Sequence, residues 1–209
     1  MADTSRNSKI DALSAFVDPV KRLSADLEQK LDALGDEFVS LLVINPDRFS
    51  EINTALLRVL IEKKGLSGIY ITGNRPFDSL MKRLSSNGIP TGGIVFIDCV
   101  SRKMGKGASA AEKNVLFVDS LSDLSSLTIA LDKAMSLSSS KKIFIVLDSI
   151  STLSIYHKPK TVERFVHVLA SRISSTPGAK GLFIAVESPE DKVSLQKLAQ
   201  FCDKVIRID

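Results

Sequence analysis

Phe144-Ile145-Val146-Leu147-Asp148-Ser149-Ile150-Ser151-Thr152-Leu153 decides how the rest of the chain is read. Unbroken apolar residues run into an acid and then into hydroxyls. A strand exposed on one face alternates apolar with polar residues, whereas a strand covered on both faces is apolar throughout, as in parallel sheets. The strand here spans Ile143 to Asp148, and its carboxyl end carries the chemistry-bearing side chains.

Working outward, the same kind of strand recurs at Phe38–Asn45, Gly68–Thr72, Ile94–Asp98, Val115–Asp119, Leu182–Val186 and Val205–Ile208. Helical spacing falls between them, at Asn53–Lys64, Phe77–Ser86, Leu121–Met135, Thr161–Ile173 and Asp191–Phe201. Buried strands alternating with helices predict an α/β domain of three layers, a mainly parallel sheet with helices on both faces. Before it, residues 1–9 are polar. Ile10, Leu13, Phe16, Val17, Val20, Leu23, Leu27, Leu31 and Leu34 then recur at three- and four-residue steps, an amphipathic helix or helix pair interrupted near Pro19 and closed by Gly35. The division expected is therefore an N-terminal segment over 1–37 and one domain over 38–209.

The 209 residues suit one domain with an appendage, and a composition of 44% hydrophobic and 25% charged residues excludes global disorder. A net charge of +4 is too thinly spread to announce nucleic acid. Cys99 and Cys202 show no metal spacing and are read as reduced, partly buried thiols. The opening MADTSRNSK has no apolar core, and no stretch approaches the roughly 20 apolar residues of a membrane span, so a cytoplasmic location is expected.

In a parallel sheet of this type ligands bind outside the carboxyl ends of the strands. Asp148 ends one of them, and an acid there serves either as a turn or cap residue or as an indirect Mg²⁺ holder. The residues after it choose between these. Asp148-Ser149-Ile150-Ser151, Leu153, and then Arg164, Phe165, Leu169 and Arg172 on the next helix resemble the KaiC-like branch of the RecA superfamily of P-loop ATPases. The likeness runs from about Phe38 to Ile208 and is concentrated between Lys142 and Glu187.

The resemblance implies a RecA-like sheet, Mg-ATP as cofactor, and a G-x-x-x-x-G-K-[ST] loop after the first strand. That loop is missing. The chain reads Asn45-Pro46-Asp47-Arg48-Phe49-Ser50-Glu51-Ile52, with Asn45 and Ser50 at the glycine places, Glu51 at the lysine place and Ile52 at the place of the Mg²⁺-binding hydroxyl. No glycine occurs between Gly35 and Gly65. Glycines let successive N–H groups curl round a phosphate, and the lysine neutralises it. Two unit charges about 4 Å apart at an effective dielectric near 20 interact by about 4 kcal/mol, so a carboxylate in place of the ammonium disfavours phosphate strongly. Arg48 is the one compensating cation in the loop. In structural terms Arg48 and Glu51 read as a solvated turn and first helical turn, with the acid well placed at a helix N-terminus.

The second strand runs into Thr72-Gly73-Asn74-Arg75-Pro76, where the family places an acid that polarises water; no carboxylate is present. Asp98 and Asp119 end the third and fourth strands and read as turn or cap residues. Gly105-Lys106-Gly107 lacks a following hydroxyl, and His157 and His167 fall in no metal or triad spacing. Lys103 and Lys106 in the Ser101–Asn114 stretch are candidates for nucleic-acid contact, although no aromatic residues interleave with them or with Lys113, Lys158 and Lys160.

The expectation is a RecA/KaiC-like domain without hydrolysis or a resident cofactor, acting as a regulatory or signalling module. Its partner would be an active ATPase of the same fold or a second copy of the chain. Ser149 joins Asp148 among the degenerate nucleotide-binding positions. The alternatives are an ATPase with an unorthodox loop in which Arg48 and Asp148 hold Mg-ATP, and a DNA-binding recombination accessory that uses Lys103 and Lys106.

Overall fold

The computed structural model describes residues 19–101, 114–138, 140, 142–188 and 192–208. Helix α1 (Pro19–Asp32) leads into β1 (Phe38–Ile44), a 3₁₀ turn (Pro46–Arg48) and α2 (Phe49–Arg58), which continues as a wider π turn over Val59–Lys63. Then follow β2 (Ser67–Thr72), α3 (Phe77–Ser86), β3 (Ile94–Asp98), β4 (Val115–Phe117), α4 (Leu124–Leu137) and β5 (Ile143–Asp148). The chain ends with α5 (Ile150–Tyr156), α6 (Pro159–Ser174), β6 (Ala179–Val186), α7 (Lys192–Ala199) and β7 (Lys204–Ile208).

All seven strands are parallel, in the order β4-β3-β2-β5-β6-β1-β7. The period-2 alternation of a strand divides the apolar residues between two cores. On one face Leu42, Ile44, Tyr70, Phe96, Phe144 and Ile184 meet α1, α2 and α3 through Leu27, Leu56 and Leu84. On the other face Leu41, Val43, Ile71, Leu147 and Phe183 meet α4, α5, α6 and α7 through Leu131, Leu153, Leu169 and Leu198. This is the expected three-layer fold, with every pair parallel. Residues 1–18 and 102–113 lie outside the described residues, and with them the helical spacing from Ile10 to Val17.

Three differences from the expected elements have local causes. Helix α2 starts at Phe49, four residues early, because the Asn45 side chain caps the turn by accepting from the Asp47 N–H at 2.9 Å, and the chain enters helix without a loop. Helix α4 starts later, at Leu124, where Asp123 accepts from the N–H groups of Ser125 and Ser126. Ile150–Tyr156 forms a short helix of its own, capped by Ser149. Gly35 and Gly65, which bound the glycine-free stretch, both have positive φ and close α1 and α2.

Connections set the position of the site. The helices after β1 and β2 cover one face, and those after β5 and β6 cover the other. Crevices therefore open at the carboxyl ends between β2 and β5 and between β1 and β6, the points where connections diverge.

Candidate functional site

Asp148 closes β5 with Thr72 of β2 as its register partner, so the turn after β2 stands beside it. Its carboxylate is buried, at 2% exposure, and surrounded by donors. Tyr70 Oη donates to Oδ2 at 2.6 Å, Asn53 Nδ2 to Oδ2 at 3.0 Å, and Asn74 Nδ2 to Oδ1 at 2.7 Å. Three of roughly four acceptor positions of a carboxylate are thus filled by protein. Burial pushes the Asp148 carboxyl up to about 6, against the opposing pull of these hydrogen bonds and of the Arg75 charge. The Tyr70 phenol is raised well above its ordinary value, first by burial and then by Asp148.

The hydroxyls after Asp148 extend the network. Ser149 Oγ lies 3.0 Å from Thr152 Oγ1, Thr152 Oγ1 donates to Asn74 Oδ1, and Ser151 Oγ accepts from the Val186 N–H at 2.9 Å. Asn74 thereby ties the turn after β2 to Asp148, Ser149 and Thr152, and Ser151 ties the start of α5 to the end of β6.

The turn after β1 is built differently. Arg48 Nε sits 3.5 Å from Glu51 Oε2, both side chains substantially exposed. Ile52 points into the core, and Ser50 Oγ accepts from Arg75 Nη2 at 2.6 Å. A cleft of about 570 Å³ separates this turn from the one after β2, lined by Pro46, Phe49, Ser50, Asn74, Arg75 and Val186 among others. A larger groove of about 770 Å³, lined by Leu41, Val43, Leu195 and Val205, shares no residue with the Asp148 network.

These side chains do not fit the Mg-nucleotide that the fold implies. Asp148 is turned into a protein network, the turn from Asn45 to Ile52 has neither glycine nor lysine, Pro46 offers no N–H, and Glu51 adds negative charge. Asn45, Arg48, Ser50, Glu51 and Ile52 are adjacent in the fold, but the structure does not bring Arg48 and Asp148 into contact.

Among the described residues no three His, Cys, Asp or Glu side chains form a metal cluster, and no helix is long and apolar enough to cross a membrane. Asp98 serves its turn, accepting from the N–H groups of Phe77, Val100 and Ser101. His157 Nε2 lies 2.8 Å from the Leu121 carbonyl oxygen, and His167 packs on Phe201. Burial pushes the thiols of Cys99 and Cys202 up to about 12, which makes them inert. Lys103 and Lys106 lie outside the described residues.

Tyr70, Asn53 and Asn74 were not singled out as partners of Asp148. Tyr70 and Asn53 are 78 and 95 residues away in sequence and sit inside regular elements, where no local spacing marks them. The available signal was a tyrosine within an apolar strand and an asparagine within the apolar face of a helix.

With this geometry described, comparison with known proteins gives a family. The sequence profile of the Family of unknown function (DUF7504) matches residues 39–208. The chain belongs to this family. Comparison with curated proteins gives no match. Among solved structures, this DUF7504 chain is similar to the KaiC-like protein PH0186 from the hyperthermophilic archaeon Pyrococcus horikoshii OT3, with a TM-score of 0.56, 14% identity, and coverage of 82% of this chain and 71% of the other. It is also similar to the uncharacterized protein PH0321 from Pyrococcus horikoshii, crystallised in complex with an unknown peptide, with a TM-score of 0.61, 14% identity, and coverage of 81% and 76%. At this identity the likeness establishes the fold: the DUF7504 chain is a KaiC/RecA-like domain.

Proposed function

We propose that this domain is a pseudo-ATPase, a RecA/KaiC-like fold that has given up nucleotide binding and hydrolysis and works as a regulatory or signalling module through protein contacts. The observation that carries the reading is the commitment of Asp148 to Tyr70, Asn53 and Asn74. An acid that holds Mg²⁺ through water must keep its oxygens open to solvent. The turn from Asn45 to Ile52 is then a degenerate phosphate loop, with Glu51 in the lysine place.

The fold family builds rings and filaments, so the partner class is an active ATPase of this fold or a second copy of the chain. A complex with a peptide is on record for the PH0321 neighbour, which is consistent with protein contact. The test is calorimetric titration with Mg-ATP and Mg-ADP. No saturable heat is expected up to millimolar nucleotide, and binding at micromolar concentration that disappears in Asp148→Ala would sink the reading.

A further inference from the structure

Asn53 is nine-tenths buried, and its amide is half used. Nδ2 donates to Asp148, while Oδ1 is buried with no hydrogen-bond partner. Among the described residues one other buried side-chain atom lacks a hydrogen bond, Glu163 Oε1, and it faces the Lys197 ammonium at 3.5 Å. Turning the amide round would bring Oδ1 against Asp148 Oδ2, oxygen on oxygen, so its orientation is determined by the acid. A buried acceptor left unpaired costs about 1–3 kcal/mol, so something must donate to Oδ1.

Beside Asn53 is a cavity of about 10 Å³, lined by Thr54, Tyr70, Arg75, Arg83 and Asp148 among others. Arg75 also lines the large outer cleft and is bonded to Ser50, so it stands between the cavity and the cleft. The space matches one water molecule, for which roughly 10–15 Å³ is needed, and excludes an organic ligand. A metal ion would share the chamber with two guanidinium groups, which repel it. Arg83 is half-buried and its guanidinium has no acceptor among the described residues; burial first, and then Arg75, lowers its affinity for its proton, with Glu51 opposing. The occupant that suits the chamber donates to Asn53 Oδ1 and can accept from an arginine lining it, and water does both.

We propose that this cavity is a binding site for one ordered water, which donates to Asn53 Oδ1, accepts from Arg83, and is shut in by the Arg75–Ser50 clasp. Thr54 Oγ1 and Tyr70 Oη offer an acceptor for its second hydrogen, giving the three bonds common for buried waters. The water completes the Asp148 network from the side of α2, so that the fold is satisfied without a nucleotide. In this sense the inference rests on the function proposed above.

A crystal structure at 1.5 Å or better tests it, grown from the whole chain with and without Mg-ATP. Density for a single oxygen at about 2.5–3.0 Å from Asn53 Oδ1 is expected. An empty cavity, an asparagine amide turned onto a protein donor, or six oxygen ligands at about 2.1 Å, the signature of Mg²⁺, would each overturn the water site. Water-deuteron relaxation dispersion adds a solution readout. Arg83→Met should remove one long-lived water from the wild-type count, and an unchanged count overturns the assignment. Arg75→Ala should keep the water but shorten its residence by tenfold or more; an unchanged residence overturns the clasp. Nucleotide density in the soaked crystals refutes the functional reading, whereas a missing water without nucleotide refutes this inference alone.

Discussion

The carboxyl ends of β1 and β5 are two strand-to-helix turns of one sheet, and they have been put to opposite uses. After β5, Asp148 is at 2% exposure and holds three protein donors, from β2, from the turn that follows it and from α2. After β1, Asn45 to Glu51 form a short capped turn whose charges pair with each other at the surface. In a working phosphate site the two ends meet on one ligand. Here the acid is turned inward and ties β2, α2 and β5, while the turn after β1 is a capped helix entrance. The difference teaches that an acid at a strand end can be held by protein donors, so its hydrogen bonds have to be counted before a role is read from its position.

The largest effect should come from removing the acid. Asp148→Ala leaves Tyr70 Oη and the two asparagine amides as donors without their acceptor, at about 1–3 kcal/mol for each one buried, so a loss of about 3 kcal/mol or more is expected. Urea unfolding at pH 4.5 should show that loss, against about 0.5–1 kcal/mol for Glu51→Ala at the exposed turn. Equal effects at the two turns would erase the contrast between them.

How much of this was legible beforehand differs between the two turns in the same way. The strands could be read because Phe144 to Leu147 and their counterparts are apolar on both faces, which few other structures permit. The absence of glycine and lysine at the first turn is also legible, because it is local. The use of Asp148 could not. Whether an acid at a strand end faces solvent or protein depends on Tyr70 and Asn53, brought to it by β2–β5 pairing and the packing of α2, and neither contact leaves a pattern in neighbouring residues. The start of α2 at Phe49 is hidden for a related reason: Asn45 stands at a glycine place of the family's loop, which masks its quality as a cap.

A middle-sized effect follows from pH. The Asp148 carboxyl titrates near 6 in the folded protein against an ordinary 3.8. A raised acid binds its proton more tightly when folded, so its contribution to stability is full below about pH 4 and is lost as pH rises through about 6. Between pH 4.5 and 7.5 the loss amounts to about 2 kcal/mol. The cost of Asp148→Ala, measured by urea unfolding, should therefore shrink by about that amount over this range, while the cost of Glu51→Ala stays level. A cost for Asp148→Ala that grows with pH would mean that the ionised form is the favoured one and that the donors outweigh burial.

The smallest effect is expected where the family likeness would predict the largest. Glu51→Lys restores the family's residue at the lysine place. It removes an acid from the first turn of α2, worth about 0.3–1 kcal/mol, and an exposed pair with Arg48 worth about 0.2–1 kcal/mol, and it adds a cation close to Arg48. A net loss of about 1 kcal/mol is expected, most of it absent in 0.5 M salt, because charges at this exposure are screened. Nucleotide binding should not appear. A lysine neutralises a phosphate only if backbone N–H groups already surround it. Here Pro46 has none, the Asp47 N–H is taken by the Asn45 side chain, and the Arg48 N–H by the Asn45 carbonyl oxygen. Saturable Mg-ADP binding by Glu51→Lys would show that one reversed charge, and not the shape of the turn, separates this end of the sheet from a working site.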